Sequence, residues 1–281
     1  MTAGYPAPAK LNLFLHVVGR RADGYHLLQT LFRFIDYGDR LDFAVRGDGV
    51  IARANAIPGL PAEQDLCVRA AHLLQQESGC ALGVDIALEK RLPLGGGLGG
   101  GSSDAATTLL ALNRLWGVNF SRTRLQQIGL RLGADVPVFV FGASAFAEGV
   151  GEELQAVSLP PAWYLVLVPP VAVSTAAVFA HPQLTRDTKP IKIRAFSEGL
   201  GNGLGNDLEP VVCREYPEVA RHLEWLRQHA GNAAMTGSGA CVFAAFATQA
   251  EAERVHALLS SDMNGFVACG LDRHPLHGCA D

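Results

Sequence analysis

The sequence predicts an α+β fold in two regions, and three patterns predict it. Strictly alternating apolar and polar residues mark strands near the N-terminus. Apolar residues at helical spacing mark amphipathic helices. The two kinds mix without regular strand–helix alternation, and a fresh run of strands begins after Pro160 and Pro161. Residues 150–162 therefore separate an N-terminal region from a C-terminal one.

Residues 10–17 place Leu11, Leu13, Leu15 and Val17 on one face of a strand. Lys10, Asn12, Phe14 and His16 occupy the other, an odd face for an ordinary edge because a lysine and an asparagine lead into an aromatic. Asp23-Gly24 signals a turn. Residues 27–36 and 40–47 read as two further strands divided by Gly38-Asp39. Residues 66–76 read as a helix with Leu66, Ala70, Leu73 and Leu74 on one side, and 83–90 as a strand. A glycine-rich loop follows. Ser102 or Ser103 is expected to cap the helix that continues through Leu109, Leu110, Leu112 and Trp116. Ser121 is expected to cap the next, through Leu125, Ile128 and Leu132. Residues 133–142 fit a strand or a short helix, because Pro137 interrupts either.

In the second region residues 164–170 read as a buried strand and 174–179 as a short helix. Residues 200–207 form a loop, and Pro217 opens a helix reaching about His229. Strands at 241–247 and 265–271 enclose a helix at 249–259. No internal repeat is present.

Composition narrows the function. The 281 residues are 49% hydrophobic and 18% charged, with a net charge of -4. That argues against a basic nucleic-acid surface. The pairs Arg20-Arg21 and Lys90-Arg91 read as solvated unless they border a site. Six scattered cysteines, none in C-x-x-C spacing, point to reduced thiols. His274 and His277 read as part of a solvated tail rather than a metal site. The apolar stretch 11–18 carries Asn12 and His16 and is too short to span a bilayer or to serve as a signal peptide. The expectation is a soluble cytoplasmic protein, monomer or homodimer, that binds neither membrane nor nucleic acid.

The most informative stretch is residues 91–117, RLPLGGGLGGGSSDAATTLLALNRLWG. Glycines let several N–H groups converge on an oxyanion, and the following helix adds its positive dipole end. A phosphate cradle explains this better than a linker. It is not a P-loop, because no lysine precedes Ser102. Gly95, Gly97 and Gly100 match the dinucleotide fingerprint, which would suit a Rossmann-type NAD(P) oxidoreductase. The acidic partner expected near Phe120 is missing, and Pro93 interrupts the approach. A non-catalytic nucleotide-binding regulator is the other alternative.

The segment LPLGGGLGGGSSDAA resembles the phosphate loop of the galactokinase, homoserine kinase, mevalonate kinase and phosphomevalonate kinase superfamily. PAPAKLNLFLHVVGRRADGYHLLQTLF, GADVPVF, AFAEGVGE and MTGSGACVFA, in this order, resemble the 4-diphosphocytidyl-2-C-methyl-D-erythritol kinase family. The resemblance implies a two-domain small-molecule kinase fold: an N-terminal nucleotide domain (1–155) and a ferredoxin-like C-terminal substrate domain (156–281). It implies ATP-dependent, Mg²⁺-assisted phosphorylation of a cytidylyl-linked methylerythritol at its C2 hydroxyl, on the non-mevalonate route to isoprenoid precursors.

It also implies roles. Asp135 matches the base and Lys10 its catalytic partner. Pro93, Leu94, Gly95, Gly96, Gly97, Leu98, Gly99, Gly100, Gly101, Ser102 and Ser103 match the ATP loop, one serine touching Mg²⁺ while the other caps. Tyr25, His26 and Phe179 match the cytidine contacts, and Asn12, Val150, Thr175, Gly237, Ser238 and Gly239 the rest of the substrate pocket. Asp104 in the first helical turn reads as a dipole partner rather than a metal ligand. Asp65 stands where the family has asparagine. It either receives the adenine amino group or caps the helix at Leu66.

Overall fold

A computed structural model describes residues 2–192 and 204–280, so residues 200–203 of the expected loop lie outside the described residues. Two long strands organise it. β1 (Thr2–Arg20) and β2 (His26–Arg46) run antiparallel, joined by a turn in which Gly24 N–H donates to Arg21 O. The two strands expected at 27–36 and 40–47 are one. Register slips between the pairs Pro8–Gly38 and Ala9–Ile35, so β2 bulges and bends instead of ending. A Cβ at Gly38 would lie 2.2 Å from Ala7 O, which is why glycine stands at the bend. β1 slips once more between Asn12 and Leu15. The alternation expected over 10–17 therefore breaks: Leu11, Phe14 and Leu15 enter three different apolar clusters, and both faces are covered.

β3 (Ile51–Arg53) and β4 (Gly83–Glu89) extend one edge of β2, and β5 (Ala145–Glu148) with β6 (Glu153–Ala156) pair alongside its other end. Helices α1 (Leu66–Ser78), α2 (Gly100–Leu115), α3 (Arg122–Leu130) and α4 (Val136–Phe141) build the core over this sheet. Ala70 and Ala71 of α1 and Ala105, Ala106 and Ala111 of α2 are small enough to bring helix backbones close. α2 is buried at every position from Ser103 to Asn113, an axis around which the N-terminal region packs. Residues 133–142 resolve the ambiguity in favour of helix, with Pro137 in the first turn, where a missing N–H costs nothing. Ser121 caps α3 as expected. Neither Ser102 nor Ser103 caps α2: the cap is Gly99, in the left-handed region at φ 73°.

The C-terminal region follows the order β7 (Trp163–Leu167), α5 (Thr175–Ala180), α6 (Glu209–Glu215), α7 (Pro217–Ala230), β8 (Ala234–Met235), β9 (Val242–Phe246), α8 (Gln249–His256) and β10 (Gly265–Leu271). Its antiparallel strands lie in the order β10-β7-β9-β8, the arrangement of a ferredoxin-like sheet.

The regions join where β10 meets β2, through the pairs Gly270–Ile35 and Leu271–Phe34. Arg33 crosses this seam, buried, bonded to Asp272 and Pro160 O. Its guanidinium fills the space that a Cβ on Gly270 would need. Beyond β10 the tail returns to the N-terminal core. Leu276, Cys279 and Ala280 pack there, and Arg122 donates to His277 O. The expected solvated tail is thus corrected: His274 is buried, and burial, then the Arg122 and His277 charges, push its pKa down to about 3. Among the described residues no helix is long and apolar enough to cross a membrane.

Candidate active site

The glycine loop forms one wall of a cleft of about 880 Å³. Gly95, Gly97 and Gly99 take φ of 69°, 75° and 73°, which side chains other than glycine's resist. Leu98 points the opposite way into apolar packing and anchors the loop. A Cβ on Gly97 would sit 2.2 Å from Thr236 O, so this loop and the TGSGA turn touch backbone to backbone. Thr236 reinforces the contact: its hydroxyl accepts from Asn12 N–H at 3.0 Å and donates to Gly97 O at 3.3 Å. Asn206 holds the turn, donating to Met235 O and Gly237 O at 2.9 and 2.7 Å. Unpaired N–H groups at the start of α2 add a positive end suited to an anion.

Lys10 and Asp135 meet beside this loop. Their charged atoms are 3.3 Å apart. Lys10 Nζ also donates to Asn12 Oδ1 at 2.6 Å and to Gly97 O at 3.0 Å, which holds the ammonium in place beside Asp135. Asn12 cannot turn away, because its Nδ2 donates to Thr30 Oγ1 at 2.8 Å. The lysine is 2% exposed and lies 5.6 Å from the Phe32 ring centroid. Asp135 begins α4 without capping it, which leaves its half-buried carboxylate for the ion pair and the cleft.

Beneath the loop lies a second charged group that sequence reasoning missed. Lys90 bonds both Asp39 and Asp104, the latter at 2.8 Å. Asp39 also accepts from the backbone N–H groups of Arg91 and Leu92, fixing the approach to the glycines. Of the pair Lys90-Arg91, expected to be solvated unless it borders a site, Lys90 does border one, because it lines the cleft. Asp104, expected in the first helical turn as a dipole partner, lies past that turn and is a buried carboxyl bonded to Lys90. Burial and the nearby Asp39 charge raise its pKa well above the usual carboxylate range, against the pull of Lys90. Burial alone would lower Lys90, and the two acids more than reverse that.

Tyr25, His26, Val150, Thr175 and Phe179 line the far end of the same cleft. The His26 and Phe179 rings are 5.0 Å apart at 34°. Thr175 and Ser238 share a hydroxyl–hydroxyl bond of 2.7 Å, tying α5 to the TGSGA turn. His26 has a lowered pKa through burial, then the charges of Arg186 and Arg20. Pro93, Leu94, Gly95 to Gly101, Ser102, Asn12, Gly237 and Ser238 also line the cleft. Three expected residues do not. Ser103 is buried and donates to Pro8 O. Gly239 packs behind the TGSGA turn against Met235 and Val212. Asp65 caps α1 through Cys67 N–H at 2.9 Å and pairs with Arg53 at 3.1 Å; its neighbour Leu66 reaches the cleft instead.

The strand before the glycine loop, β4, pairs antiparallel with β2, so the loop does not sit in a parallel nucleotide-binding sheet of the Rossmann type. Models of the GHMP kinase N-terminal and C-terminal domains match residues 65–143 and 189–264. A 4-diphosphocytidyl-2-C-methyl-D-erythritol kinase of Nitrosospira multiformis is 66% identical, over 98% of this chain and 94% of that one. One of Thiobacillus denitrificans is 64% identical, over 99% and 98%. The chain belongs to the 4-diphosphocytidyl-2-C-methyl-D-erythritol kinase family. A crystal structure of a 4-(cytidine 5'-diphospho)-2C-methyl-D-erythritol kinase superposes with a TM-score of 0.82 at 35% identity, covering 95% of this chain and 98% of that one. A mevalonate kinase at 13% identity shares the fold, with a TM-score of 0.68 over 96% and 99%. Family membership makes the chain a phosphotransferase with ATP as its phosphate donor.

Proposed function

We propose that the chain phosphorylates the C2 hydroxyl of 4-diphosphocytidyl-2-C-methyl-D-erythritol, giving the 2-phosphate and ADP, in non-mevalonate isoprenoid precursor synthesis. The observation that carries this is the 3.3 Å pairing of Lys10 with Asp135 beside the glycine loop. Phosphoryl transfer asks the protein chiefly for positioning and charge stabilisation. Asp135 accepts the proton of the attacking hydroxyl. Lys10 pairs with that carboxylate and faces the oxygens of the moving phosphoryl group. The amides of residues 95–101 and the start of α2 grip the triphosphate.

Ser103 is engaged with Pro8 O, so Ser102 is the loop hydroxyl that remains for Mg²⁺, and Asp135 is a carboxylate on the same cleft wall. That sparse oxygen set suits Mg²⁺, which takes most of its ligands from phosphates and water. When bound, the ion neutralises phosphate charge. Tyr25 and Phe179 supply flat faces for a pyrimidine, and His26 reads its edge. Leu66, rather than Asp65, meets the adenine side of the nucleotide. Residues 1–155 supply the chemistry and 156–281 most of the wall facing it. The setting we propose is cytoplasmic, with small-molecule partners and one or two copies of the chain.

The test is incubation with ATP, Mg²⁺ and the cytidylyl substrate, followed by phosphorus NMR and mass spectrometry. A 2-phosphate formed with one equivalent of ADP is expected. ATP turnover that ignores the cytidylyl compound would overturn the assignment.

A further inference from the structure

We propose that Arg186 is a positioning residue that decides which proton His26 presents to the substrate's base, and so sets a preference for cytosine over uracil. The inference rests on the cytidylyl reading above. Arg186 follows α5, and its Nε–H donates to His26 Nε2 at 3.0 Å. A guanidinium stays protonated and can only donate. Nε2 must therefore be the accepting nitrogen. A neutral imidazole then carries its proton on Nδ1.

The surroundings keep the ring neutral. Arg186 approaches it from the segment after α5, and Arg20 from the end of β1, itself fastened to Gly24 O at 3.2 Å. The same guanidinium donates to Phe179 O and His181 O, both at 2.9 Å, and to Leu184 O at 3.0 Å. One side chain thus binds the first residue of β2 to the helix that carries Phe179. It fixes both the ring that stacks and the ring that reads.

The consequence is chemical. Along the edge it shares with its O2 carbonyl, cytosine presents N3 as an acceptor, whereas uracil presents N3–H. An Nδ1–H on His26 meets the first and opposes the second. A site whose buried donor is left facing another donor rejects that ligand strongly.

Imidazole ¹⁵N NMR of the intact chain without ligand reads the tautomer directly. We expect His26 protonated on Nδ1; a ring protonated on Nε2 overturns the proposal. In Arg186→Met we expect KM for the cytidylyl substrate to rise about tenfold while kcat stays within roughly threefold. The preference over the uridylyl analogue should shrink by about tenfold, because the ring is then released to the other tautomer. Arg186→Lys should recover part of both losses. Because Arg186 also supports α5, a double-mutant cycle separates the two roles. In a His26→Ala background, Arg186→Met should add little further loss. An undiminished loss there would mean that Arg186 only buttresses α5, and the proposal would fail. Wild-type chain that does not turn over the cytidylyl substrate at all would instead sink the reading above, whatever the tautomer.

Discussion

The two ends of the cleft are built differently. At the phosphate end Lys10 is 2% exposed and held by two hydrogen bonds and an ion pair, while Thr236 and Asn12 lock the two glycine turns together. At the base end Tyr25 is 64% exposed, and the His26 and Phe179 rings touch at 5.0 Å with part of their faces left open to the cleft. The first end is held in its working geometry before any ligand arrives. The second offers surfaces that a ligand completes. Preorganisation belongs where charge moves, because an ångström of slack there is costly. A stacking slot tolerates adjustment, since much of its energy comes from area.

This contrast can be broken by mutation. Asp135→Asn should lower kcat about 10³-fold or more with ATP binding intact, because the base is lost and the cradle is not. Single-turnover kinetics with nucleotide titration checks it; near-normal kcat would remove Asp135 from the chemistry. Lys10→Met should lower kcat about 10²-fold or more. It should also cost roughly 2 kcal/mol of stability, since Asn12 Oδ1 and Gly97 O lose a buried donor. Denaturant unfolding measures that second effect, and an unchanged midpoint would show the phosphate end to be less tightly built than its hydrogen bonds imply. Phe179→Ala should raise KM for the cytidylyl substrate about tenfold and leave kcat nearly unchanged, the signature of lost base stacking. A kcat loss as large as the KM change would mean that the two ends are mechanically coupled. The smallest effect belongs to Tyr25→Phe, where KM should stay within about twofold if the ring and not its hydroxyl meets the base.

Much of the fold was legible because its signals are local. Ser121 caps where its hydroxyl suggests, and Pro217 opens a helix. Pro137 could have decided the case of residues 133–142, since proline in a first helical turn is favourable. Failures came where one position answers to a distant one. Gly38 looked like a strand boundary, yet it is glycine because Ala7 O passes over it. Lys90 looked solvated, yet Asp39 and Asp104 enclose it. The site divides in the same way. The glycine loop announces a phosphate from its own composition. The meeting of Lys10 and Asp135, far apart in the chain, came only from resemblance to a family. Arg186 carried no local signal, because its meaning lies in the nitrogen of His26 that it occupies.

The return of the last residues to the first region has a consequence for synthesis. Cys279 and Ala280 fill places in a core assembled mainly from β1 to β6, and the final strand closes onto Ile35 and Phe34. That core cannot shut until Leu276, Cys279 and Ala280 have emerged from the ribosome. Until then the growing polypeptide carries an open apolar surface, a period in which chaperones have work to do.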